Sequence, residues 1–200
     1  KQCSTKTKVV KCINECDQRK GMVDDIAPVI KAASSVTDLC VFISNWIMDY
    51  HTNEDWKCPR NQVVFSGTNK EHFCPREKID NGKINLVTHH WSDNPLKGQD
   101  IYQMLDNWLA LNSEFTFTYI GRTKAMFNNT QLIPPTFGKD LGEKLSKYDV
   151  YILASRHDPG PNHIIESLAC EIPTYALADS GGAVEMVGPN HVYESFDELI

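Results

Sequence analysis

The sequence predicts an α/β fold built from Rossmann-like, doubly wound parallel sheets. Two observations carry this. Short apolar runs rich in β-branched residues, such as LCVFI at 39–43 and VYILA at 150–154, read as strands buried on both faces of a parallel sheet. Between such runs lie longer stretches with apolar residues at helical spacing, and strands alternating with helices imply parallel strands joined by crossovers.

Taken in order, KVVKCI at 8–13 predicts a strand, and residues 22–35, with Ile26, Val29, Ile30 and Ala33 at helical intervals, predict a helix. A strand at 39–43, a helix at 45–51 and a strand at 62–65 follow. Residues 67–82 carry Pro75, Asn81 and Gly82 with little apolar periodicity, which suits a hinge between two sheets. The expected division is therefore 1–82 and 83–200. The second unit predicts strands at 84–88, 115–120, 131–133, 150–154 and 174–177, with helices at 99–111, 138–148, 163–170 and 183–187. Ligands of such sheets sit at the strands' carboxyl ends, where Lys97, Gly121, Pro134 and Asp158 all fall.

The most informative loop is SRHDPGPNHIIE at 155–166, between an apolar strand and a helix. Asn162 is placed as the N-cap, with Ile164, Ile165 and Leu168 beyond it packing on the sheet. Free backbone amides and the positive end of the helix dipole then point into the crevice, where a phosphate fits. Glu166 lies about one turn further, and its two carboxylate oxygens suit the adjacent hydroxyls of a ribose. Asp158, eight residues before Glu166, reaches a second set of hydroxyls. The alternative is that Asp158 caps a turn and Glu166 serves its helix terminus.

Residues 158–188, DPGPNHIIESLACEIPTYALADSGGAVEMVG, resemble the donor-binding signature of the retaining glycosyltransferases of family 4, which have the two-domain GT-B fold. The resemblance rests on Asp158, Glu166, Ala169, Cys170, Pro173, Gly181, Gly182 and Glu185 in that order. Asp158 stands where most members carry Glu, and Glu171 where Gly is usual. Residues 84–109 resemble the first strand, loop and helix of the same donor domain, with Lys97-Gly98 as the matching pair. Ser92 occupies the position of an Arg that, with the Lys, holds the diphosphate in the family. Residues 41–50 and 62–75 resemble the end of the acceptor-side domain.

The resemblance implies transfer of a sugar from a nucleotide-diphosphate sugar to a carbohydrate or lipid-linked acceptor, with retention, without metal and without a cofactor. It gives Lys97 and Asp158 catalytic roles. Ser92, Gly121, Arg122, Pro134, Pro161, Asn162, His163, Ile164 and Glu166 are the expected donor-binding residues, Arg122 as a second-choice phosphate ligand. The donor base is expected beside the loop 132–136. Two rivals stay open: another GT-B nucleotide-sugar enzyme such as an epimerase, and a non-catalytic nucleotide-binding module.

The formal charge of −6 is mixed along the chain, which excludes the basic stripe of a nucleic-acid binder. No apolar run approaches the roughly 18 residues of a membrane span. Seven cysteines at irregular spacings lack Cys-x2-Cys pairs, which argues against zinc and for a reducing cytoplasm, in which the sequon Asn128-Asn129-Thr130 stays unmodified. His89 and His90 are adjacent on a strand and should face opposite sides of the sheet rather than share a metal. His157, Asp158 and His163 have no ligand spacing. Asn14, Glu15, Asp17, Arg19 and Lys20 follow the first strand, at the end that faces the interdomain cleft in an acceptor-side domain, where one of them could touch acceptor or donor; the favoured alternative is a solvated loop. At 200 residues the chain is shorter than a complete GT-B enzyme, and it reads as a fragment.

Overall fold

A computed structural model describes residues 7–21, 23 and 25–200. Two parallel sheets organise it. The first contains β1 (Val10–Ile13), β2 (Leu39–Phe42) and β3 (Asn61–Val63) in that spatial order. Ile13 pairs with Phe42, and Phe42 with Val63. Its helices are α1 (Ala27–Ser34) and α2 (Asn45–His51). They close a core around Ile13, Ile30, Phe42 and Ile47, each side chain contributing about 1.5–3 kcal/mol when fully buried.

The start expected for α1 at Met22 lies, with Asp24, outside the described residues. The helix itself begins at Ala27, because the Asp17 carboxylate, reaching across from the loop after β1, accepts from the amides of Asp25, Ile26 and Ala27 at 3.3, 2.6 and 3.1 Å. Burial opposes ionisation of Asp17, but these amide bonds outweigh it and hold the carboxyl below the usual range. Asp17 is therefore a helix cap, not a cleft residue.

The second sheet is assembled from β4 (Ile84–His90), β5 (Phe115–Gly121), β6 (Gln131–Ile133), β7 (Val150–Leu153), β8 (Thr174–Leu177) and β9 (Val192–Tyr193). All neighbours are parallel, in the order β6-β5-β4-β7-β8-β9. This is a Rossmann order, and it reverses between β4 and β7. The connecting helices are α3 (Gln99–Leu109), α4 (Gly138–Leu145), α5 (Asn162–Ala169) and α6 (Ala183–Val187), with α7 (Phe196–Leu199) last. Successive side chains of β4 alternate between two cores. Leu86 packs with Tyr102, Leu105 and Phe117, whereas Val87 packs with Leu145, Leu153 and Ile164. β4 is buried on both faces, yet its sequence INLVTHH also carries the polar residues Asn85, Thr88, His89 and His90, which are buried with it.

The stretch expected to be a hinge, 67–82, has neither helix nor strand, yet it is fastened to the second sheet. Phe73 is buried in the same core as Leu141 and Leu145 of α4. Ile79 N donates to Lys147 O at 2.9 Å, and Lys78 Nζ to Tyr148 O at 2.7 Å.

Contacts between the sheets converge on residues 158–185. Glu185 accepts from the amides of Asn45 and Trp46 and from Asn45 Nδ2, at 3.0, 2.6 and 2.7 Å, so it caps α2 from the opposite unit. Ser44 Oγ donates to Pro159 O. A Cβ on Gly182 would stand 2.2 Å from Pro159 O, which explains why this approach needs glycine.

Candidate donor-binding site

The crevice at the reversal point between β4 and β7 is a pocket of about 220 Å³. Its walls come from His89 and His90 at the end of β4, Gly121 at the end of β5, residues 135–137 before α4 with Gly138 at its start, and Asn162, His163 and Glu166 on α5. A larger cleft of about 380 Å³ adjoins it, lined by Asn14, Arg19, Ser66, Ser92, Lys97, Asp158, Asn162 and His163 among others. This second cleft lies between the two sheets.

The start of α5 differs by one residue from expectation. Pro161, extended at ψ 114°, is the N-cap, and Asn162 opens the helix without a side-chain cap bond. Pro161 has no N–H to satisfy, so it suits a helix entry. Ile164 is fully buried and its amide already donates to Pro161 O at 3.1 Å. The amides of Asn162 and His163 have no intrahelical acceptor and face the crevice with the positive end of the helix dipole.

Lys97 ends a short 3-10 turn, Pro95–Lys97, which Asn94 caps through Oδ1 to Leu96 N at 2.9 Å. Gly98 then turns with φ 83°, and a Cβ there would meet Ala154 at 2.4 Å. The turn is thus pressed onto the end of β7. It delivers the Lys97 ammonium to within 2.6 Å of Asp158 Oδ2, and the two side chains are 13% and 5% exposed. Neither residue is a solvated loop side chain. Asp158 joins the segment around Gly181 by a parallel bridge, its carbonyl accepting from Gly182 N at 2.9 Å.

Glu166 Oε2 lies 2.8 Å from His89 Nε2, and both line the smaller pocket. His89 and His90 do diverge. His89 turns to Glu166 and Tyr151, and His90 to the Tyr102 hydroxyl at 2.8 Å. That hydroxyl also accepts from Ala154 N at 3.0 Å, so one phenol ties the ends of β4 and β7 together. Burial drives the His90 and His163 imidazoles well toward their neutral forms. The neighbouring charge of His163 adds to this at His90, and that of Lys97 at His163. His89 Nδ1, His90 Nδ1 and His163 Nε2 are buried with no hydrogen-bond partner among the described residues.

Two other expected residues, Arg122 and Pro134, fall outside these walls. The Arg122 guanidinium stacks 4.2 Å over the Trp91 ring, and with Pro134 it borders a separate shallow hollow. Ser92 Oγ accepts from Asn94 N at 3.2 Å and lines the larger cleft. The sequence reading missed Trp91 and Phe137, two half-exposed rings whose centroids are 4.7 Å apart at the mouth of the smaller pocket. Exposure of large aromatics beside a strand end was the signal available. Among the described residues no group of three metal-ligating side chains converges.

No family model matches the chain, and no curated protein matches it in sequence. Solved structures do match. A sucrose-phosphate synthase from Thermosynechococcus elongatus superposes with a TM-score of 0.74 at 14% identity, over 95% of this chain and 56% of that one. Anabaena HepE, solved with UDP and glucose, gives 0.72 at 14% identity, over 96% and 60%. The pneumococcal O-GlcNAc transferase GtfA, solved with UDP and GlcNAc, gives 0.69 at 11% identity, over 94% and 41%. The chain therefore has the fold of part of a GT-B glycosyltransferase, with Rossmann-like parallel sheets. It spans less than two thirds of these neighbours' length.

Proposed function

We propose that the chain belongs to a retaining, metal-independent glycosyltransferase of the hexosyltransferase type, and that 83–200 hold its nucleotide-sugar donor while 1–82 form the end of the acceptor-side unit. The observation that carries this is the convergence, at the reversal point of a Rossmann sheet, of the α5 amides, the Lys97 ammonium and the Glu166 carboxylate. In this reading Glu166 accepts the ribose hydroxyls, leaving His89 or sharing it. The amides of Asn162 and His163 face the diphosphate. Lys97 has three N–H donors, one of them spent on Asp158, so two remain for phosphate oxygens. Asp158 holds that ammonium in place and takes donor-sugar hydroxyls with its other oxygen.

The chemistry is departure of a nucleoside diphosphate. Donors aimed at the developing charge in a water-poor crevice are the main rate term such a site can supply. Transfer proceeds by front-face attack, the leaving phosphate taking the acceptor's proton, without a protein nucleophile. The acceptor is a carbohydrate or lipid-linked sugar, so the setting is carbohydrate biosynthesis. No helix among the described residues is long and apolar enough to cross a membrane. The free thiols of Cys12, Cys16, Cys40, Cys58, Cys74 and Cys170 support a reducing, cytoplasmic setting. Titration with nucleoside, monophosphate, diphosphate and nucleotide sugars tests the assignment, with affinity rising at the second phosphate as the expected result. Incubation with donor alone separates a transferase from an epimerase, which would isomerise the sugar.

A further inference from the structure

The second sheet supplies fewer cations to the leaving-group crevice than a diphosphate calls for. Ser92 offers a hydroxyl, Lys97 is already paired with Asp158, and Arg122 is engaged on Trp91. A further cation lines this cleft from the first unit. Arg19 lies in a 3-10 turn, Gln18–Lys20, that follows β1 and lines the same cleft as Ser92, Lys97, Asp158 and His163.

The turn lies close to the second unit. Gly21 closes it in the left-handed region with its N–H on Gln18 O, and a Cβ on Gly21 would touch Leu96 at 3.9 Å, one residue from Lys97. Cys16 Sγ donates to His157 O at 3.6 Å, one residue from Asp158. Arg19 uses one guanidinium nitrogen, on Glu15 Oε1 at 3.1 Å, and that is its only side-chain partner among the described residues. The other donors of a planar fork suited to phosphate remain, and the side chain is one third exposed. The Arg19 charge is also near enough to add, after burial, Lys97 and His89, to the shift of His163 toward neutrality.

We infer that Arg19 is the second cation of the diphosphate site, contributed by the first unit, so that the donor's phosphates bridge the two sheets. This rests on the donor-site reading above. Arg19→Ala should weaken nucleoside diphosphate binding roughly 10- to 100-fold, the range of a lost charged hydrogen bond. Nucleoside affinity should not change. Ser92→Arg in the Arg19→Ala background should restore most of the loss from the second unit, and Arg19→Lys should keep part of the affinity with its salt dependence. A parent that binds diphosphate while Arg19→Ala binds it equally well, or loses nucleoside and diphosphate alike, overturns the role of Arg19 and leaves the donor site standing. A parent that shows no preference for diphosphate over nucleoside removes both.

Discussion

Replacing Lys97 by alanine would strand the Asp158 carboxylate where its side chain is only 5% exposed. Among the described residues no other side chain donates to it, so the charge could not be repaired locally. Removing one partner of a buried ion pair destabilises by about 3–5 kcal/mol, because the remaining charge keeps its desolvation penalty. Against a typical stability of about 5–15 kcal/mol the protein should still fold, but with a large deficit. With a urea dependence of about 3 kcal/mol per molar, the midpoint should fall by roughly 1–2 M. Asp158→Asn in the Lys97→Ala background removes the stranded charge and should recover most of the loss. Urea unfolding followed by circular dichroism on parent, single and double variants reads this directly. A Lys97→Ala midpoint within about 0.3 M of the parent would refute the reasoning, since the pair would then be worth no more than an exposed one of about 1 kcal/mol.

Glu166→Gln should weaken nucleotide binding roughly 10- to 100-fold without unfolding the protein, and a ligand lacking ribose hydroxyls should not distinguish mutant from parent. Ser92→Arg alone should tighten diphosphate binding and steepen its salt dependence, seen by titration at two ionic strengths. Gly98→Ala combines a left-handed backbone with a 2.4 Å approach to Ala154, so its melting temperature should drop by the equivalent of about 1–3 kcal/mol. His90 and His163 have lowered pKa values in the fold and ordinary ones when unfolded, so below about pH 6.5 the unfolded chain binds more protons. Stability should therefore fall on acidification, by up to about 1.4 kcal/mol per pH unit for each histidine, and be insensitive to these groups above pH 7. His90→Gln should flatten that slope, and an unchanged slope between pH 6.5 and 5 would contradict it.

Much of the architecture was legible because the central strands of the second sheet are buried on both faces. The run 150–153, VYIL, is apolar throughout, with no competing helical period, whereas 84–90 mixes Leu86 and Val87 with the buried polar residues Asn85, Thr88, His89 and His90. β9 escaped notice because two residues carry no period at all. The segment 67–82 has the irregular backbone the sequence suggested, but its attachment to the second sheet through Phe73, Lys78 and Ile79 was not legible, because three scattered residues leave no pattern. Asn162 was taken as the cap because its residue type favours that position, but Pro161 precedes it and the helix enters from the proline.

Within the site, the spacing of Asp158 and Glu166 along a strand, loop and helix was readable, because it is local. Their partners were not. His89 is 77 residues from Glu166 and Lys97 is 61 residues from Asp158, so only the strand order brings them together. The same applies to Arg19, visible in sequence as one of several charges after a strand, and brought into the same cleft as Lys97 by the packing of two sheets.

The central claim is that the α5 amides, Lys97 and Glu166 form a nucleoside diphosphate site whose positive field comes from the protein. Isothermal titration of parent protein with nucleoside and nucleoside diphosphate, each with and without EDTA, tests it most directly. The account predicts diphosphate binding at least about tenfold tighter than nucleoside, a difference of about 1.4 kcal/mol, with EDTA leaving both affinities unchanged. Equal affinity for the two ligands, or a tenfold loss of diphosphate binding on chelation, would contradict it.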